Sequence, residues 1–208
     1  MELKQLPQSL SDITLEKWVG WHEEYGAGLL AKTKGQMSDD ELLLFEVDFH
    51  SKNYAYYTDT ELEEVIAAKA DIIEIVKASA IFQAQLFSEM QIIGHKDLVN
   101  AEFDFVGWKW KIQSPVSVAN QSEVTIKEFD VIQEVSLLLV NLQEGELQSL
   151  YKLCELYLHP ISGKGELLPL ERQMKTLPLS IALCVKKYVE DTINLYHALV
   201  NDRKPTVS

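Results

Sequence analysis

Apolar residues recur at helical spacing along most of the chain, and this pattern predicts a mainly α-helical protein. Leu15 and Val19 lie four positions apart, and Thr14 before them is a suitable helix N-cap. Each glycine in a helix interior costs about 1 kcal/mol relative to alanine. We therefore expect this first helix to end near Gly26 or Gly28.

Two capping boxes predict where the next helices begin. Ser38 with Glu41 opens a second helix, and Thr58 with Glu61 opens a third. The apolar pattern of the third runs on without an obvious break. It predicts one continuous rod over residues 61–90.

The C-terminal part of the chain also alternates helices with breaks. A third capping box begins at Thr125, and Gly145 ends the helix that it opens. A short helix then stops at Pro160, and residues 161–175 are predicted to form a loop. Pro178 lies at the start of the last helix.

The middle of the chain changes from helical to alternating periodicity. Aromatic residues occupy alternate positions in Phe103–Phe105 and in Trp108–Trp110, with Gly107 between the two runs. This pattern predicts a β-hairpin. The fold class is therefore mainly α, a helical bundle with a small inserted β-hairpin around residues 101–113.

The length of 208 residues fits a single domain or two lobes. In the two-lobe interpretation, residues 1–100 form an acidic helical lobe and residues 101–201 hold the hairpin and the C-terminal helices. Residues 202–208 are expected to be a frayed tail.

One segment near the start resembles a later one. Residues 11–18 (SDITLEKW) match residues 122–129 (SEVTIKEF) in residue type at each position. One interpretation is a common helix-start solution used twice. The other is a duplicated helical unit with the long helix and the hairpin inserted between the copies.

The net charge of −13 limits the classes of partner. A surface this acidic repels phosphate groups. We therefore expect neither nucleic-acid binding nor attachment to anionic lipid. No signal peptide and no long apolar stretch is present, so we expect synthesis in the cytosol and no membrane contact. Cys154 and Cys184 lie in helical patterns and are expected to be buried reduced thiols.

Catalytic motifs are absent from the sequence. It has no phosphate-binding glycine loop, no serine elbow and no zinc spacing, and we expect no catalytic residue, metal or cofactor. One alternative is an all-α metal-dependent nucleotide pyrophosphatase, and another is an acidic inhibitor that mimics DNA. The first would use paired carboxylates one turn apart, namely Glu61, Glu64, Asp71 and Glu74.

Without a catalytic motif, function through surface contacts is the simplest interpretation. We expect partner contacts at hydrophobic helix faces that the core leaves uncovered. Aromatic residues are enriched at protein interfaces. The candidate interaction surface therefore consists of the clustered aromatic residues Tyr54, Tyr56, Tyr57, Trp108 and Trp110.

Several short segments follow one another along the chain in a recognisable order. They are Leu6-Pro7-Gln8-Ser9 running into Asp12-Ile13-Thr14-Leu15, Phe105-Val106-Gly107-Trp108, Thr125-Ile126-Lys127-Glu128-Phe129, Tyr157-Leu158-His159-Pro160, and the run from Thr176 to Leu183. In this order the segments resemble a family of small bacteriophage proteins encoded among head and tail genes. That family is described as tail-assembly-chaperone-like or as virion proteins.

The resemblance implies a non-enzymatic role in building a virion, with no catalytic residue to carry over. The expected partners are other phage structural proteins, such as portal, ring or tail proteins. The chain is then either a transient tail-assembly chaperone or a permanent subunit of a ring at the head–tail junction, which would require a homo-oligomer. The expected location is the host cytoplasm, with incorporation in the virion in the second case.

Overall fold

In the computed structural model the chain divides into two compact units, Met1–Ile92 and Ile93–Ser208. The described residues are mainly helical, with one small antiparallel sheet, which confirms the predicted fold class. Within these residues no helix combines the length and the apolar content needed to cross a membrane. The structure describes residues 3–33, 38–68, 71–94, 102–115, 126–164 and 169–201.

Among the described residues, the regular elements of the first unit are all helices. α2 packs against the other three α-helices, most extensively against α4. The elements are a short 3₁₀ helix at Leu10–Asp12, then α1 (Leu15–Thr33), α2 (Asp39–Thr58), α3 (Leu62–Ala67) and α4 (Ile72–Ile92).

The predicted start of α1 is confirmed and its predicted end is wrong. The Thr14 hydroxyl oxygen accepts a hydrogen bond from the backbone N–H of Lys17 at 3.2 Å, as an N-cap does. The helix continues past Gly26 and ends at Thr33. The cost of about 1 kcal/mol for a helical glycine is small enough for the buried N-terminal turns of α1 to offset.

The predicted start of α2 is also confirmed. The Ser38 side chain accepts a hydrogen bond from the N–H of Glu41, and the Glu41 carboxylate accepts one from the N–H of Ser38 at 2.9 Å. The second predicted capping box is wrong. Thr58 is the last residue of α2, and its hydroxyl donates to the carbonyl of Tyr54 at 2.7 Å instead of capping α3.

The predicted rod over residues 61–90 is wrong because Ala68 leaves the helical conformation, with φ −78° and ψ 52°. The break allows Val65 of α3 and Ile75 of α4 to join one buried cluster with Tyr54 and Ala55 of α2. In a straight helix Val65 and Ile75 would lie about 15 Å apart along the axis. A single rod could not place both in that cluster.

The second unit combines helices with the sheet. α6 packs against α5, α7 and α8, and Gly145 (φ 97°) follows the end of α5, as predicted. The elements are β1 (Phe103–Phe105), β2 (Trp108–Ile112), α5 (Ile126–Gln143), α6 (Ser149–Tyr157), β3 (Leu158–Gly163), α7 (Leu170–Lys175) and α8 (Leu179–Asn201).

The predicted hairpin is present, and it belongs to a sheet of three strands with the order β1-β2-β3. Val106 and Gly107 both have positive φ angles, 51° and 74°, as a tight two-residue hairpin turn requires. The prediction of a loop at 161–175 is wrong, because β3 extends to Gly163 and α7 follows at Leu170. β3 is an edge strand, where the missing N–H of a proline is tolerated.

Three sequence predictions fall on parts of the chain outside the described residues. They are the capping box that begins at Thr125, the repeat at residues 122–129, for which no side chain is described, and the tail at residues 202–208.

Candidate functional site

Three of the five aromatic residues of the predicted interaction surface lie in the core. Trp110 is fully buried, and its indole N–H donates to the carbonyl of Phe105 at 3.0 Å. Tyr54 is buried and donates its hydroxyl to the carbonyl of Lys4 at 2.9 Å. Tyr57 is also buried. These three side chains stabilise the units and are not accessible to a partner.

The other two aromatic residues are half-buried and belong to different units. Trp108 lies on β2 in the second unit, against the backbone of Gly163. Tyr56 lies on α2 in the first unit, and its hydroxyl approaches Gly20 of α1 so closely that a Cβ at that position would lie 2.6 Å from it. Because Tyr54, Tyr57 and Trp110 are buried, the five residues do not form the interaction surface that the sequence suggests.

Tyr56 borders a cleft of about 550 Å³ at the C-terminal end of α2. In this cleft the ammonium of Lys17 lies 2.8 Å from both carboxylate oxygens of Asp59 and 5.9 Å from the centre of the Tyr56 ring. Burial raises the pKa of Tyr56, and burial together with the Glu24 carboxylate raises the pKa of Tyr25 to about 12. Both phenols are therefore hydrogen-bond donors at neutral pH, and neither is a base.

A chain of polar side chains crosses from α2 to α4 inside the first unit. The Gln83 amide donates to the Asn53 carbonyl oxygen at 2.7 Å, and the Asn53 amide donates to the Ser79 hydroxyl oxygen at 2.7 Å. Ser79 in turn lies 3.0 Å from Nδ1 of His50, whose Nε2 lies 3.1 Å from the Glu46 carboxylate. In a neutral imidazole this order places the proton on Nε2, so that Nδ1 accepts from Ser79.

Glu46, His50 and Ser79 are the residue types of a hydrolytic triad. A nucleophile must reach its substrate, however, and Ser79 has no exposed surface. Asn53, which donates to the same hydroxyl, is also completely buried. The arrangement therefore satisfies buried polar groups and fixes the crossing of α2 and α4, and it offers no accessible nucleophile.

The carboxylates of the pyrophosphatase alternative lie on two separate helical segments. Glu61 immediately precedes α3 and Glu64 lies within it, whereas Asp71 precedes α4 and Glu74 pairs with Lys77 at 3.1 Å. Among the described residues, no group of three or more histidine, cysteine or acidic side chains could hold a metal ion. The two pairs are therefore not gathered into a site of the kind that the alternative requires.

The first half of α2 exposes apolar side chains. All eight buried residues of α2 lie between Phe49 and Thr58, and residues 39–48 contribute none. Leu43 and Leu44 are 65% and 72% exposed, and Val47 is also exposed. We name residues 39–48 the α2 arm.

Sequence reasoning missed the α2 arm, although a signal was present. Residues 42–45 are four consecutive apolar residues in a helix, and four consecutive positions point to all sides of it. Such a run cannot be buried entirely against one neighbour. At least one of these side chains had to face solvent.

α4 carries a second exposed apolar region. Ile73, Ile81 and Phe87 are 63%, 68% and 66% exposed, and they lie within a sector of about 120° on the helix. Residues 78–88 contain no charged side chain. We name these three residues the α4 face.

The second unit contains a cleft of about 510 Å³ between α6 and α7. Lys152, Glu155, Glu171 and Lys175 line it, and burial together with the charge of Glu171 raises the pKa of Glu155. The charges of the two acidic and two basic side chains balance, so the cleft favours neither an anionic nor a cationic ligand.

The two cysteines are buried free thiols, as predicted. Burial raises the pKa of Cys154, and the Cys184 thiol donates to the carbonyl of Gly94 at 3.0 Å. A thiol that stays protonated and buried is a poor nucleophile. Neither residue therefore adds a reactive group to the clefts.

The chain matches no protein-family model, and no curated protein or solved structure is significantly similar to it. Its function must therefore be argued from its own surfaces and buried groups.

Proposed function

We propose that the protein is a non-enzymatic structural or assembly protein of a bacteriophage virion, acting through contacts with other phage proteins. The phage setting comes from the sequence resemblance described above. The mode of action comes from the surface of the first unit. These two parts are independent and can be tested separately.

The observation that carries the mode of action is the exposure of the α2 arm and the α4 face. Burying one large apolar side chain is worth about 1.5–3 kcal/mol. An isolated exposed apolar residue is ordinary, but a group of them on one helix sector is typical of a contact surface. Ile73, Ile81 and Phe87 form such a group on α4.

The uncharged segment at residues 78–88 adds to this argument. The centres of protein interfaces are depleted in charged residues, whereas ordinary helix surfaces are rich in them. A solvent-facing helix gains solubility from glutamate and lysine pairs, as Glu74 and Lys77 illustrate one turn earlier. Residues 78–88, which include Ile81 and Phe87, lack such pairs, and contact with another protein would explain why.

The proposal is tested by isolating the tagged chain from host cells in which phage particles assemble. We expect mass spectrometry to identify portal, ring or tail proteins bound to it. A double variant Ile81→Ser/Phe87→Ser should lose these proteins, and Glu63→Gln/Glu64→Gln on the exposed side of α3 should keep them. Finding no virion protein with the unmodified chain would refute the proposal.

Two further measurements separate the chaperone from the ring subunit. Light scattering on the purified chain should give a monomer for a transient chaperone and a discrete ring for a junction subunit. Mass spectrometry of finished particles should find the chain only in the second case.

A further inference from the structure

We infer that the α2 arm docks a basic amphipathic helix of a partner protein. This inference rests on the proposed function, because it names the class of partner for one of the surfaces on which that function depends.

The first observation is that the α2 arm continues a buried helix face beyond the core. Leu43, Leu44 and Val47 lie within a sector of about 100° on the helix. Ser51 and Thr58 are buried in the same sector farther along α2. The arm therefore presents to solvent the side that α2 otherwise buries.

The second observation is that the α2 arm begins with a complete capping box although it buries no side chain. A ten-residue helix without tertiary contacts is marginal in water. The reciprocal hydrogen bonds of Ser38 and Glu41, together with the buried second half of α2, hold the arm in helical form. A surface that is already ordered loses less conformational entropy when it binds.

The charge of the α2 arm indicates the class of partner. Residues 39–48 contain five acids and no base. The acids flank the exposed leucines, so that a partner helix with an apolar stripe bordered by lysine or arginine would match both features. A helix with acidic borders would be repelled.

The same charges argue against a second copy of this chain. Residues 1–92 contain 17 acids and 7 bases, a net charge of −10, and residues 93–208 have a net charge of −3. Two α2 arms brought together would place the exposed carboxylates of Asp39, Asp40 and Glu41 from both copies close to one another. Self-association through this surface is therefore disfavoured.

The test uses the full chain and a fluorescent synthetic amphipathic helix of leucine and lysine, with its leucine–glutamate counterpart as the charge control. We expect anisotropy to detect binding of the lysine peptide alone. Leu43→Ser/Leu44→Ser should weaken this binding about tenfold or more. The matched variant Leu137→Ser/Val140→Ser on α5, which also replaces two exposed apolar side chains, should change it by less than about twofold.

A second pair of variants tests the role of charge. Asp39→Asn/Asp40→Asn in the α2 arm should weaken binding of the lysine peptide more than Glu63→Gln/Glu64→Gln on α3 does. All four positions are exposed, and circular dichroism should show every variant to be folded. Equal losses of peptide binding in the two charge variants, or in the two apolar variants, would overturn the inference. The inference would also be overturned if the unmodified chain formed a dimer and the Leu43→Ser/Leu44→Ser variant did not.

These results are separable from the test of the proposed function. If the peptide ignores the α2 arm while virion proteins still co-purify with the chain, the docking inference fails and the proposed function stands. If the peptide binds as expected but no virion protein co-purifies, the arm binds basic helices and the virion role is wrong.

Discussion

At the scale of single residues, the polar chain from Gln83 to Glu46 is the least predictable feature of the molecule. Its members come from α2 and α4, and only the crossing of these helices brings Ser79 within 3.0 Å of His50. The sequence places His50 and Asn53 on one helix, but a serine 29 positions beyond His50 carries no local signal. Such a contact depends on tertiary packing, which periodicity does not report.

Ser79→Ala tests whether this polar chain stabilises the first unit. The change leaves the buried Asn53 amide and His50 Nδ1 without their shared partner, and we expect the free energy of unfolding to fall by about 1–3 kcal/mol. Urea denaturation measures the change. Ser88→Ala on the exposed side of α4 is the control and should cost much less. Equal losses would show that the hydrogen bonds contribute nothing.

His22 gives the first unit a pH-dependent stability. Burial lowers its pKa below the usual 6.5, although the hydrogen bond from its Nδ1 to the carbonyl of Trp18 opposes this shift. As the pH falls through 6.5, the unfolded chain takes up a proton at His22 before the folded chain does. The neutral, buried His22 therefore contributes stability above pH 6.5, and this contribution is lost as the pH falls below 6.5.

The measurement is the free energy of unfolding at about pH 8 and at about pH 5, for the unmodified chain and for His22→Gln. We expect the variant to lose less stability than the unmodified chain on acidification. His159→Gln in the second unit keeps His22 and serves as the control. The same acid sensitivity in His22→Gln and in the unmodified chain would contradict this assignment.

At the scale of elements, the sequence predicts the helix boundaries that a few neighbouring residues set better than those that tertiary packing sets. Ser38 and Thr14 act as caps in the structure because a cap depends on a few neighbouring residues. The break at Ala68 and the extension of α1 to Thr33 depend on what the helices pack against. Apolar periodicity alone therefore merges α3 and α4 into one rod.

The third strand was missed for the same reason. Leu158–Gly163 has a weak strand pattern and contains a proline, and it becomes a strand by pairing with the free edge of β2. Lys111 and Ile112 of β2 pair with His159 and Leu158. A strand of this kind is fixed by its partner more than by its own sequence.

Gly163→Ala tests the packing of β3 against the hairpin. A methyl group at Gly163 would overlap the indole of Trp108, and we expect a loss of about 1–3 kcal/mol in the free energy of unfolding. The assigned indole N–H signal of Trp108 should also shift in the NMR spectrum. Gly94→Ala, where an added methyl group meets no atom within 4 Å, is the control. If Gly163→Ala changed neither the free energy of unfolding nor the indole signal, Trp108 would not lie over β3.

At the scale of the whole molecule, composition and pattern predict the mainly helical class with its hairpin, and they leave the contact surfaces undetermined. The predicted aromatic surface fails at Tyr54, Tyr57 and Trp110, because large aromatic side chains are as useful in a core as at an interface. The exposed residues Leu44 and Ile81 are ordinary members of apolar helices in the sequence. Only the packed units reveal which sides of α2 and α4 remain uncovered.

We propose that the protein works by binding other phage proteins through these uncovered helix faces. The most direct test of this proposal places a photo-crosslinking amino acid at Leu44, at Ile81 or at Glu63 of the full chain, in host cells assembling particles. We predict specific cross-links to virion structural proteins from Leu44 and Ile81, and few from Glu63 on α3. Equal cross-linking from all three positions, or none to any virion protein, would contradict the account.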